Sequence, residues 1–251
     1  MIISVINMSD RALDDADLQD GIRAVNRQIT YDFAPYWGFG AQLRLEGKTG
    51  RRQGVDQADM RGDAVLYIRK RRGADDDGYH TTHFGGIPYG FVYLDIAETL
   101  DKDWSVTLSH EALELIGDPE LNLLVRGPHP TKDHEVFHWF EMCDAVQSET
   151  YVIDGQSVSN FVLPLYFTAS HERGSRNDFL GTVTDGKTLR SFGVNPGGYI
   201  NYFDPRLGER GEDTDFSAPD DTLARKRLDL KSSMGVGRGH RRRLLGGAAG
   251  V

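Results

Sequence analysis

The chain has 251 residues, 39% of them hydrophobic, which is enough to bury a core in one large domain or two small ones. Its net charge of −9 argues against general nucleic-acid binding, so no specific nucleic-acid partner is expected. The one cysteine, Cys143, excludes an internal disulfide framework and a cysteine-built zinc site.

The opening "MIISVINMSDRALDD" has no basic region, and its apolar run is too short for a signal peptide. No stretch approaches the ~20 apolar residues of a membrane helix. A soluble, cytoplasmic protein without a membrane partner is expected. "IISVIN" reads as a first strand. In the next stretch Leu18, Ile22, Val25 and Ile29 recur at helical spacing, Asp14 to Asp17 offer capping, and Pro35 with Gly38 mark an end. "FGAQLRLE" alternates as a strand, and "GKTGRRQGVDQADMRGD" reads as a polar loop. "AVLYIRK" and "IPYGFVYLDI" read as further strands, separated by a turn and by "GYHTTHFGG", where His80 and His83 are read as surface or cleft-lining residues.

Beyond residue 120 the pattern is irregular. "YVIDGQSVSNFVLPLYF" suggests a hairpin and an apolar segment, and "FGVNPGGYINYFDP" reads as an aromatic loop. From about Gly208 the composition turns acidic, then basic and glycine-rich. The expected organisation is a domain over 1–207 and a flexible charged tail over 208–251, with a short helix near Leu223 to Leu230. The "RRR" at 241–243 offers contact with an acidic partner.

Two segments carry the letters of a metal-binding helix. Such a helix places two ligands at i and i+4 on one face, with a Glu at i+1 as general base. "HEVFH" (His134 to His138) has both histidines, but "PTKD" precedes it and its β-branched and aromatic residues suit a strand equally well. "WSVTLSHEALELIGDPE" has Glu114 in place of the second His, yet a better setting. Val106, Thr107 and Leu108 lead in uncharged, Leu115 and Ile116 continue the apolar face, and Asp103 or Ser105 offers a cap. His110 and Glu114 then share a face with Glu111 beside them. Three polar residues on an apolar helix are costly to bury without partners, and a metal would satisfy them. The His110 helix is preferred.

The segment from Thr107 to Ile116 resembles the zincin metallopeptidases, departing from their pattern at Glu114. "DFAPYWG", "GIPYGFVYLD", "LSHEALELIGDP" and "VSNFVLPLYF" resemble uncharacterised bacterial and phage proteins with a zincin-like core, over most of 1–205. The resemblance implies an α+β fold: a small mixed sheet packed on helices, an active-site helix, and an irregular C-terminal half. It implies metal ligation by His110 and Glu114, with Glu111 as general base. The third ligand is read as Glu141, supported by Asp144; Asp118, Glu120 and His138 stay open, and Gly117 has the spacing of a metzincin glycine. The metal is expected to be Zn, with Mn or Fe admitted by the extra carboxylate, or none if the site is degenerate. The strand before the helix would hold an extended peptide, and Tyr151, Tyr166, Tyr199 and Tyr202 compete as oxyanion donors. The function implied is a metal-dependent peptidase or amidase acting on a peptide or protein substrate. The alternative is a non-catalytic zincin-like binding or structural protein, or a virion-associated component.

Overall fold

Two strands of almost unbroken apolar sequence occupy the middle of the first sheet. β1 (Ile2–Asn7) and β5 (Ala64–Arg69) are buried along most of their length, as central parallel strands covered on both faces must be. The computed structural model describes residues 1–52, 55–58, 62–70, 87–169 and 175–233. His80 and His83, the turn expected after the β5 segment and the "RRR" segment lie outside the described residues.

From β1 the chain enters α1 (Asp15–Arg27), capped by Asp14, whose carboxylate accepts from the Ala16 amide at 2.8 Å. Leu18, Ile22 and Val25 turn into the core. Pro35 does not end this helical run. A widened π segment over 28–33 leads directly into the short α2 (Ala34–Trp37), with Pro35 in its first turn, where no amide donor is needed. Gly38, at φ 75°, is the stop.

β2 (Gln42–Leu45) returns parallel to β1. β3 (Lys48–Arg52) and β4 (Val55–Ala58) pair as a hairpin where a loop was expected. β5 and β6 (Tyr89–Tyr93) complete a parallel sheet of order β2-β1-β5-β6. Among the described residues β6 is its last strand. α3 (Leu94–Thr99) then leads to α4 (Trp104–Gly117), which packs against β6, α1 and a later hairpin. Gly21 admits that docking: a Cβ there would lie 2.8 Å from Cζ3 of Trp104, at the start of α4.

The C-terminal half is more regular than its sequence suggests. β7 (Leu124–Pro128) and β8 (Glu135–Trp139) pair antiparallel. β9 (Thr150–Ile153) and β10 (Gln156–Ser159) form the expected hairpin, turning on Asp154 and Gly155 at φ 51° and 81°. Ser105 donates to Ser157 O at 2.8 Å, and the Ser159 amide donates to Ser109 Oγ at 2.8 Å. Two serines one turn apart on α4 thus satisfy main-chain groups of β10. After a small hairpin of β11 (Val183–Thr184) and β12 (Lys187–Thr188) comes β13 (Tyr199–Asp204), inside the segment expected to be a loop. β14 (Glu212–Ser217) pairs along its whole length with β13, giving a second sheet of order β14-β13-β8-β7.

The architecture is therefore α+β, with one parallel sheet and separate antiparallel sheets in place of one small mixed sheet. The boundary expected at 207/208 falls between two paired strands. α5 (Thr222–Ser233) extends the expected helix and is anchored by Arg227, which is 7% exposed and donates to Ser148 Oγ at 2.6 Å and to Gly197 O at 2.5 Å. No described helix is long and apolar enough to cross a membrane.

Candidate metal centre

α4 is buried on most of its circumference, and His110 with Glu114 lie one turn apart on it. The other half of the site comes from the segment after β8. Phe140 to Cys143 run into a 3-10 turn over Asp144–Val146, held by the Val146 amide donating to Cys143 O at 3.1 Å. That segment lies on the end of α4 because Gly117 has no side chain: a Cβ there would meet Met142 Cε at 2.5 Å and Cγ at 3.0 Å. Gly117 is the last residue of α4, and its place in the site is to seat Met142.

His110 Nε2 is 3.2 Å from Glu114 Oε1 and 3.3 Å from Asp144 Oδ1. Carboxylate oxygens of Glu114, Glu141 and Asp144 lie within 4.8 Å of one another, and so do ligand atoms of His110, Glu114 and Cys143. Glu141 and Asp144 are 7% and 1% exposed. Burial lowers the His110 pKa, but Glu114 and Asp144 outweigh it and raise the group to about 10. Burial, then Glu141, pushes Glu114 up to about 7, against the pull of His110. Glu114 and Asp144 flank the His110 ring, and the Lys102 and Arg227 charges also act on Asp144. His110 Nδ1 and Glu114 Oε1 are buried without a hydrogen-bond partner; the 3.2 Å approach is an ion pair without hydrogen-bond alignment.

One cleft opens onto this cluster. His110, Glu111, Glu114 and Glu141 line it, together with Gly90 and Tyr93 of β6. The Glu111 carboxylate lies beside β6, since a Cβ on Gly90 would stand 3.8 Å from its Oε2.

No family model, curated protein or solved structure matches this chain.

What the site can do follows from its own donors. Two overlapping groups, His110 with Glu114 and Cys143, and Glu114 with Glu141 and Asp144, are each close enough to hold a metal ion, and the Glu114 Oε1 they share is buried without a hydrogen-bond partner. Cys143 is buried and lies against the cluster. Burial first, then Glu114, raises its thiol pKa well above the usual range, so it stands there as a neutral thiol.

The other candidates for a third ligand are otherwise engaged. Asp118 accepts from the Asn122 and Leu123 amides at 3.1 and 3.0 Å, closing the turn after α4. Glu120 is exposed, so the metzincin-like spacing of Gly117 leads to no ligand. His138 donates from Nε2 to Pro128 O at 2.9 Å. Of the four tyrosines proposed as oxyanion donors, Tyr199 lines the cleft. Tyr151 donates to Asp32 at 2.8 Å and Tyr166 to Gly193 O at 2.8 Å, while Tyr202 lies 3.3 Å from His129. Tyr89 and Tyr93 line the cleft and were not anticipated.

The "HEVFH" letters lie on β8 and its approach, and no helix forms there. In a strand, i and i+4 stand about 13 Å apart, too far to share one ion. His134 instead meets Asp204 at 3.0 Å, beside His129. These three residues are close enough to hold an ion, but His129 Nδ1 accepts from the Thr131 and Lys132 amides, both at 3.0 Å. In the neutral ring that puts the proton on Nε2, the atom a metal would need. The arrangement suits hydrogen bonding to Asp204.

His138 carries a pH prediction. Burial pushes its pKa down to about 4, while the unfolded chain has the ordinary 6.5. Above 6.5 both states are neutral. Between 6.5 and about 4 only the unfolded state takes up the proton, so stability falls across that window by about 3 kcal/mol from this group. Urea titrations at pH 7 and pH 4 should show that loss, and His138→Gln should show less of it. An equal loss in both proteins would remove His138 as its source.

Proposed function

We propose that this protein is a metal-dependent peptidase or amidase, with a zincin-like arrangement of its working helix. The observation that carries this reading is the convergence of His110, Glu114 and Glu141, from two separated segments, on a cleft that Glu111 also lines, with Asp144 behind His110. His110, Glu114 and Glu141 would hold the cation, and Asp144 would orient the His110 ring or add a further oxygen. A cation bound there supplies a Lewis acid for a scissile carbonyl and for water. Glu111 takes the proton of the attacking water and returns it to the leaving nitrogen. β6 offers its main chain to an extended substrate, beside Glu111 at Gly90. Tyr199, Tyr89 and Tyr93 stand in the cleft as candidate donors to the developing oxyanion.

A second reading has its own observation. His110 between two carboxylates is an ion-pair arrangement in its own right, and a protonated His110 serves a metal-free binding protein. A fluorogenic peptide library, assayed with added zinc or manganese and again with chelator, separates the two. Cleavage that follows the metal supports hydrolysis. No metal uptake and no cleavage supports the metal-free binding protein.

A further inference from the structure

The cleft carries positive groups that the proposed chemistry does not use. Arg227 of α5 enters one wall; Nη1 is engaged with Ser148 and Gly197, and its Nε is buried with no partner. Gln147 lines the same cleft at 6% exposure, with Nε2 also buried and unpartnered. Lys102, just before α4 and half-buried, is the third donor lining the cleft. Buried donors of this kind are expensive to leave unmatched. Burial, then the Arg227 charge, lowers the Lys102 pKa to about 8, against the opposing pull of Asp144 and Glu111. Ile96, Leu100 and Leu230 line the cleft with them.

We infer that Lys102, Arg227 and Gln147 form an anion subsite that receives the C-terminal carboxylate of a peptide, with an apolar terminal side chain against Ile96, Leu100 and Leu230. The inference rests on the hydrolase reading for its substrate class. The donor set alone would also take a phosphate. The extended wall of β6 and the apolar side chains beside the donors favour a peptide end. Lys102 and Arg227 stand as specificity residues, away from proton transfer.

The test uses the full chain carrying Glu111→Gln, which prevents turnover, both zinc-loaded and after chelation, with metal content measured in each sample. N-acetyl-trialanine as the free acid, the same peptide as its C-terminal amide, and inorganic phosphate are titrated by calorimetry. The free acid should bind about tenfold more tightly than the amide. Adding Lys102→Gln should reduce that ratio to near one, and Lys102→Arg should preserve most of it. Equal binding of acid and amide, or a ratio indifferent to Lys102→Gln, overturns the subsite. Phosphate binding more tightly than the free acid overturns the assignment to a carboxylate. Acid preference in a chain that takes up no metal keeps the subsite and sinks the hydrolase reading; metal uptake without acid preference does the reverse.

Discussion

Glu111→Gln should lower peptide hydrolysis by about 10²- to 10⁴-fold while leaving metal content unchanged, the range expected for loss of a general base. Glu111 is partly exposed in the cleft, and its carboxylate lies against β6 at Gly90. It lies outside both ligand groups of the cluster, so the amide substitution leaves the cation site intact. Loss of metal together with activity would place Glu111 among the ligands. Full activity with Gln would remove it from the mechanism.

The second large effect lies on β13's approach. Gly198→Ala would drive a Cβ into the Ala145 carbonyl oxygen and to 2.7 Å from its carbon, with Asp144 O at 3.0 Å. These are backbone atoms of the 3-10 turn that carries Asp144, so no side chain can swing aside. Overpacking against fixed atoms costs about 3 kcal/mol or more here, the upper end of the usual range. Urea denaturation should show that loss, and metal affinity should fall with it because the turn must move. Wild-type stability in Gly198→Ala would mean that β13 and the turn do not approach as described.

β1 and β5 were readable because they are apolar almost throughout, and α1 because its apolar residues repeat cleanly, whereas the polar, glycine-containing β3–β4 hairpin read as a loop. Leu18, Ile22 and Val25 face the core as their spacing predicts. The second half hid its sheet. β13 carries Asn201 among aromatic residues and follows "NPGG", so local chemistry signals a loop, while pairing with β8 and β14 makes it a strand. The tail boundary failed for the same reason: an acidic composition suggests solvation, and β14 is held by its partner strand.

At the candidate site, the shared face of His110 and Glu114 was legible from helical spacing, and Glu141 with Asp144 were singled out only through the resemblance to the zincins. What brings them to His110 was not legible. That approach depends on Gly117 admitting Met142 and on Gly198 admitting the Ala145 carbonyl, contacts between segments far apart in the chain. Arg227 was hidden inside a segment read as tail. The perfect "HEVFH" letters form no helix because strand pairing with β7 and β13 separates the two histidines, as their β-branched and aromatic neighbours allowed.

The most direct measurement of the central claim is metal content by elemental analysis of untagged protein, beside His110→Ala and His134→Ala. One divalent ion per chain in wild type and in His134→Ala, and loss of that ion in His110→Ala, is the predicted result. No metal in wild type after zinc and manganese supplementation, or loss confined to His134→Ala, would contradict it.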